Sequence, residues 1–391
     1  MNPIPFRGRR HWLALAAATA LLAAACGGGV SEQGTGAQPQ VFASGPISGF
    51  GSIIVNGVHY DDSAVTPRDE DGATLSGGLQ LGMVVAIDGQ NLDRTALTAT
   101  ATAVTVYSEL LGPVTARDDV AGTLTVLGQT VRLNPAPATD RAVAVGDIVQ
   151  VYGLFDEANQ RYTATRLQHR SGVNAWRIHG KVSQLTASTF QIGALTITYT
   201  QAPAGLADGA VLRLRLATTA DGQGRYALQD AEAVAAVVPA NGTEVELEGV
   251  ISRYSALSSF VVQGLTIDAS AATLEPAGSV LAVGVRIEAE GVMRGGVLRA
   301  SKVEFKGTGE DSGGGSGGGT EVEITSTIDR VDTVANTLVL TKGSQLVDYS
   351  GAVFEDGLTE LDLQVGVKLE VKGTLSADGT RVLATRLKKD N

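Results

Sequence analysis

Gly82-Met-Val-Val-Ala-Ile-Asp-Gly89 decides how this chain is read, because the pattern returns three times: Gly146-Asp-Ile-Val-Gln-Val-Tyr-Gly153, Gly284-Val-Arg-Ile-Glu-Ala-Glu-Gly291 and Gly366-Val-Lys-Leu-Glu-Val-Lys-Gly373. Each is a short apolar, β-branched run between glycines seven positions apart, the punctuation expected where a strand begins and ends. A fifth copy, Gly209-Ala-Val-Leu-Arg-Leu-Arg-Leu216, keeps the strand and loses the second glycine. The first glycines follow one another at intervals of 64, 63, 75 and 82 residues. A fixed period of this size means tandem modules, here five.

Working outward, every module opens with an alternating strand after a small residue, such as Gly45-Pro-Ile-Ser, Gly112-Pro-Val-Thr or Gly249-Val-Ile-Ser. A hairpin follows, marked in the first module by Asn56-Gly57, which tolerates the positive φ of a tight turn. Gly128-Gln129, Gly193-Ala194, Gly264 and Lys342-Gly343 occupy equivalent positions, and an alanine-centred strand, as in Leu298-Arg-Ala300-Ser-Lys-Val303, closes each module. From hairpin glycine to bracketed strand the gaps are 25, 18, 16, 20 and 23 residues, so the longest connection always lies between the third and fourth strands. The expected fold class is therefore all-β, a tandem array of about five small five-stranded OB-like β-barrels with a helical turn in the long connection. A sandwich or an open meander competes with it, since spacing alone does not give strand order.

The stretch GPISGFGSIIVNGVHYDD at residues 45–62, the V-x-V-x-G strand and the closing alanine strand resemble the bacterial domain-of-unknown-function 5666 repeat family. The resemblance is strongest over residues 45–107 and looser along the rest of the folded chain. It implies repeated small β-domains in an exported envelope protein, and it brings no catalytic residues with it.

The N-terminus sets the expected location. Arg7, Arg9 and Arg10 precede the apolar run from Trp12 to Ala25, which reads as a secretory signal several residues too short to span a bilayer. Leu22-Ala23-Ala24-Ala25-Cys26-Gly27 resembles a lipoprotein lipobox, with Ala23 where leucine is usual, and Cys26 is the only cysteine of the chain. The sequence thus divides into a signal peptide (1–25), a flexible tether (26–40), β-modules at 41–110, 111–172, 173–236 and 237–307, a Gly/Ser linker (308–320) and a fifth module at 321–391. The linker is expected to let the last module reorient. Anchoring through lipidated Cys26 would place the protein in the bacterial cell envelope, at the outer membrane facing the periplasm or the cell surface.

Composition excludes several function classes. A single cysteine rules out a disulfide framework or thiolate cage. Loss of the signal removes three arginines, leaving 27 basic against 41 acidic side chains and a net charge of −14. No module is strongly basic and only 5% of residues are aromatic, so the positive, stacking groove of a nucleic-acid binder is missing. No nucleophile elbow, metalloprotease helix or other catalytic motif is present, no cofactor is expected, and the chain is read as a non-enzyme.

Candidate site residues cluster in two places. Asp61 and Asp62 follow the first hairpin, and Asp69 and Asp71 lie in the long connection, carboxylates of the kind that ligate calcium or simply cap solvated turns. His59 and Tyr60, beside them, and Trp176 are candidate ligand contacts, although a tryptophan in barrels this poor in aromatics is expected first as packing between modules. Two functions fit: a lipid-anchored, non-catalytic scaffold or interaction protein, or an envelope lipoprotein binding an oligosaccharide, peptidoglycan fragment or divalent cation on a barrel face. Partners are accordingly the membrane and a protein or glycan of the envelope.

Overall fold

The glycine brackets have two different physical causes. In the computed structural model, which describes residues 40–75, 77–133, 135–234, 236–308, 320–343 and 345–390, the first glycine of every bracket has a positive φ, from +76° at Gly82 to +95° at Gly146. That conformation turns the chain into the fourth strand and lets the glycine N–H donate to an opening-strand carbonyl, Gly82 to Ile47 at 2.8 Å and Gly366 to Ile328 at 2.9 Å. The second glycine lies where the register against the closing strand shifts. A Cβ on Gly153 or Gly291 would stand 2.1 Å from a closing-strand carbonyl oxygen, so these two bulges leave no room for a side chain. Module 3 has Leu216 there, and its register shifts on both sides of that residue.

Each module closes in one order. In module 1 the opening strand Gln40–Phe50 pairs antiparallel with Ile53–Val55, that strand with Val58–Asp61, and Val58–Asp61 parallel with the closing strand Thr98–Tyr107. The closing strand pairs antiparallel with the bracketed strand Val84–Asp93, which returns to the opening strand. The order 1-2-3-5-4-1 recurs in module 2, module 3, module 4 and module 5. These are closed, OB-like five-stranded barrels, which decides against the sandwich and the meander.

The long connection differs from expectation. Instead of a helical turn it supplies a short strand in four modules, Arg68–Asp69, Ala138–Thr139, Thr273–Glu275 and Val353–Phe354, each parallel to its closing strand. Among the described residues the one helical turn is Glu360–Asp362 in module 5.

The barrels are not beads on a string. Residues 41–44 of module 1 pair in parallel with 244–247 of module 4, and Gly49 and Phe50 pair in parallel with Glu323 and Ile324 of module 5. Leu110 and Leu111 of module 2 pair with Ile178 and Arg177 of module 3. Backbone pairing therefore joins modules 1, 4 and 5 into one hydrogen-bonded system and modules 2 and 3 into another. The cores divide differently: one cluster spans modules 1 and 5 and takes in Ala138 and Tyr152 of module 2, a second spans modules 2 and 3, and the third is module 4 with Phe42. Between the two systems lies Arg166, 1% exposed, with Nη1 donating to Leu81 O at 3.1 Å and burial lowering its pKa to about 10. Module 5 is thus bound to module 1 by main-chain hydrogen bonds and a shared core. The expectation that it reorients came from linker composition, which reports the length of a connection and nothing about the surfaces on either side of it. The signal, Cys26, the tether up to residue 39 and linker residues 309–319 lie outside the described residues.

Candidate functional site

Module 3 carries an outward cationic face. In its opening strand Trp176–Ser183 and bracketed strand Val211–Ala220, Ile178, Leu212 and Leu214 fill the barrel with no exposure. Alternation therefore sends Arg177, His179, Arg213 and Arg215 outward. Register sets them in rows: His179 lies opposite Arg213 and Arg213 opposite Glu232, with Arg177, Arg215 and Asp230 forming the next row.

Acidic residues of modules 1 and 2 meet this face. Asp71 receives Arg177 at 2.5 Å and Arg215 at 3.3 Å. Glu70, its side chain 3% exposed, accepts from Arg177 at 3.4 Å and from the Ser108 hydroxyl at 2.9 Å. Burial pushes the Glu70 carboxyl up, against the pull of Ser108, Arg213 and Arg177. Glu109 accepts the His179 main-chain N–H at 2.8 Å and stands 2.5 Å from its Nδ1. At the edge, Glu157 pairs with Lys181 at 3.4 Å.

Above the His179 row the barrels leave a cavity of about 420 Å³, walled by modules 1 to 4. Its lining includes Phe42 and Ala86 from module 1, Leu154 from module 2 and Leu247 and Val250 from module 4. His179 and Arg213 line it too, the Arg213 guanidinium 5.1 Å from the centre of the Tyr107 ring and Phe155 edge-on to His179 at 5.4 Å. His179 and Arg213 line the cavity through other atoms: His179 Nε2 and Arg213 Nε themselves are buried out of its reach and have no hydrogen-bond partner. Buried groups of this kind are rare because each costs desolvation without return.

The residues singled out in the sequence lie mostly elsewhere. Tyr60 is fully buried, and its hydroxyl donates to Glu246 of module 4 at 3.4 Å. Trp176 is 7% exposed in the core shared by modules 2 and 3, with its indole N–H donating to Thr218 O at 3.1 Å. Neither ring is an open stacking platform, because in barrels this poor in aromatics the large rings fill cores. The His59 side chain is half-buried, and its main-chain N–H donates to Leu97 O at 2.9 Å. Asp61 caps its own turn, accepting from Ser63 N at 3.0 Å, and bonds from Ser63 hold its carboxyl below the ordinary range; the Asp69 carboxylate accepts from Asp71 N and Ala73 N. Asp62 is half-buried, with its carbonyl accepting from Val65 N at 3.0 Å. Among the described residues no group of three or more His, Cys, Asp or Glu side chains is placed to hold a metal ion. The cavity residues Glu70, Glu109, His179 and Arg213 were not among the candidates. Their signal was present: arginine at alternate positions in Val-Leu-Arg-Leu-Arg-Leu216, with Arg177, His179 and Lys181 alternating in the opening strand, marks an outer strand face that suits anionic partners.

The four barrels of modules 1, 2, 4 and 5 match one family. The domain of unknown function DUF5666 covers residues 44–101, 112–168, 248–304 and 325–388, more than half of the chain. The chain belongs to this family. Module 3 lies outside the matched DUF5666 segments yet closes in the same strand order. No curated protein matches the chain. Among solved structures, one described as drosophila Unr CSD456 is similar at 15% identity, over 40% of this chain and 79% of that one, with a TM-score of 0.16. A likeness this slight carries no argument.

Proposed function

We propose that this protein is a non-catalytic, lipid-anchored binding protein of the bacterial cell envelope that holds a small ligand between its first four barrels. The observation that carries the reading is the cavity of about 420 Å³, within the size range of small-molecule sites and bounded by apolar walls with a few convergent polar groups. It favours ligand binding at a junction over the repeated barrel face weighed from sequence, because its lining is drawn from four different modules. Among the described residues no hydroxyl or thiol hydrogen-bonds His179 Nε2, so the Glu109–His179 pair has no side-chain nucleophile of the acyl-transfer kind beside it, which supports the non-catalytic part of the reading. A scaffold role is favoured separately by the strand pairing between modules, which stiffens the array for a protein or glycan partner.

Two measurements test this. Cys26→Ser should move the protein from the membrane to the soluble envelope fraction; continued membrane association would remove the lipid anchor from the reading. Purified protein mixed with a low-mass envelope extract and passed through gel filtration should retain a compound, detected by mass spectrometry. Filling the cavity with Ala86→Phe should abolish that retention, and equal retention by both forms, or by neither, would refute ligand binding there.

A further inference from the structure

We infer that the closing strand of module 3, Tyr226–Ala233, is a docking edge for a short, extended, basic segment of a partner polypeptide. The inference stands apart from the cavity. Its first ground is a missing strand. In modules 1, 2, 4 and 5 the long connection lays a short strand parallel to the closing strand, against residues 105–106, 166–167, 302–304 and 386–387. Module 3 has the shortest connection, and Gln201-Ala202-Pro203-Ala204-Gly205 within it joins a residue that lacks an N–H to one that weakens strands. Among the described residues no short strand takes that place. The third strand of the module, Leu195–Thr198, pairs with the closing strand at Tyr226 and Ala227 and goes no further. The connection returns at Ala233, where a Cβ on Gly205 would stand 3.3 Å from the alanine Cβ. Between these points residues 228–232 have one open edge.

The second ground is the main chain along that edge. Val234 N–H donates to Val211 O at 3.2 Å, which fixes the alternation: Glu232 and Asp230 bond toward the bracketed strand, and Ala231 N–H points the other way. There it donates to the carboxylate of Asp230 at 3.0 Å, a local substitute for a ladder bond. The strand buries none of its residues, and the inward-facing Leu228 and Ala231 are half-buried, whereas modules 2, 4 and 5 bury Leu167, Val303 and Leu387 beneath the short strand.

The third ground is charge, which selects the occupant. From Tyr226 to Thr243 the chain carries Asp230 and Glu232 and no basic residue. Both acids are exposed, and neither forms an ion pair with a described residue: on the adjacent strand Arg215 turns to Asp71 at 3.3 Å and Arg213 to the Tyr107 ring. Two copies paired edge to edge would set these acids against each other, the arrangement that keeps free edges from self-association. A segment with lysines at alternate positions and β-branched residues between them meets Asp230 and Glu232 with one face and covers Leu228 and Ala231 with the other.

The test is titration of the full mature chain with fluorescein-labelled Lys-Val-Lys-Val-Lys-Val and Glu-Val-Glu-Val-Glu-Val, read by anisotropy. The lysine peptide should bind with a Kd of about 1 mM or tighter, and the glutamate peptide about tenfold more weakly. Ala231→Pro removes the edge N–H while leaving every charge and the bonds to the bracketed strand in place, and it should abolish binding. The double variant Asp230→Lys, Glu232→Lys should reverse the preference between the peptides, and it decides the matter should the proline variant fail to fold. Absence of lysine-peptide binding, binding that survives in a folded Ala231→Pro chain, or an unreversed preference in the double variant overturns the inference. A dimer in sedimentation that Ala231→Pro dissolves overturns it too, since the edge would then belong to a second copy.

Discussion

Alanine at position 49 is expected to split thermal unfolding into two transitions, with module 5 melting first. A Cβ on Gly49 would lie 2.1 Å from the carbonyl oxygen of Glu323, in the module 5 strand that pairs with it. The opposing atom is main chain, so no rotamer change relieves the overlap. The module 1 strand is itself held by its bracketed strand and by residues 244–247 of module 4, which leaves module 5 to move. Overpacking typically costs about 1–3 kcal/mol, and a clash against backbone belongs at the upper end. Separation also uncovers Phe50, 4% exposed within the core common to both modules. Calorimetry with small-angle scattering reads the result, with Gly222→Ala as control because its Cβ enters open space. A single unshifted transition in the Gly49 variant would mean that the two barrels are not energetically coupled.

Glutamine at position 246 is expected to stabilise the protein by about 3 kcal/mol at pH 8 and to change little at pH 4.5. The Glu246 side chain is 3% exposed at the seam of modules 1 and 4, where it meets the Tyr60 hydroxyl at 3.4 Å and Arg94 at 3.7 Å. Burial, then the charges of Glu290 and Glu288, raise its pKa from 4.5 to about 7, and Arg94 and the Tyr60 hydrogen bond only partly oppose them. With the folded value above the unfolded one, its contribution is complete below about pH 4.5 and is lost as pH rises through about 7. The magnitude follows from about 1.4 kcal/mol for each unit of pKa difference. Glutamine keeps the shape of the neutral acid and has no proton to lose. Urea melts of both forms at the two pH values isolate this group, because other titrations cancel in the difference. A stability gap that is the same at both pH values would refute it.

The glycine brackets were legible because each reflects a requirement inside one module, a positive φ at Gly82 and its counterparts or a carbonyl pressed on Gly153 and its counterparts. The exception was visible as well: Leu216 stands where the other modules have the second glycine, at the same shift of register. The acidic stretch around Asp69 was visible too, but its use was not. Asp71 reads as a calcium candidate until Arg177 and Arg215, more than a hundred residues away in sequence, are placed against it. Trp176 and Tyr60 could be assigned to a surface or a core only once neighbouring barrels were in position.

From the sequence alone came the all-β class, the five-fold repeat, the strands of each module and the chain's charge balance. These depend on residue types and on a period of two acting over short distances. Tertiary structure decided the closing order of the barrels, their fusion through opening strands that pair parallel among modules 1, 4 and 5 and antiparallel between modules 2 and 3, and the cavity among modules 1 to 4. Those depend on contacts between segments separated by whole modules, where no local periodicity records which surface meets which. The glycine excess belongs to both levels: within modules it shapes turns and bulges, and at Gly49 it lets one barrel's backbone lie against another's.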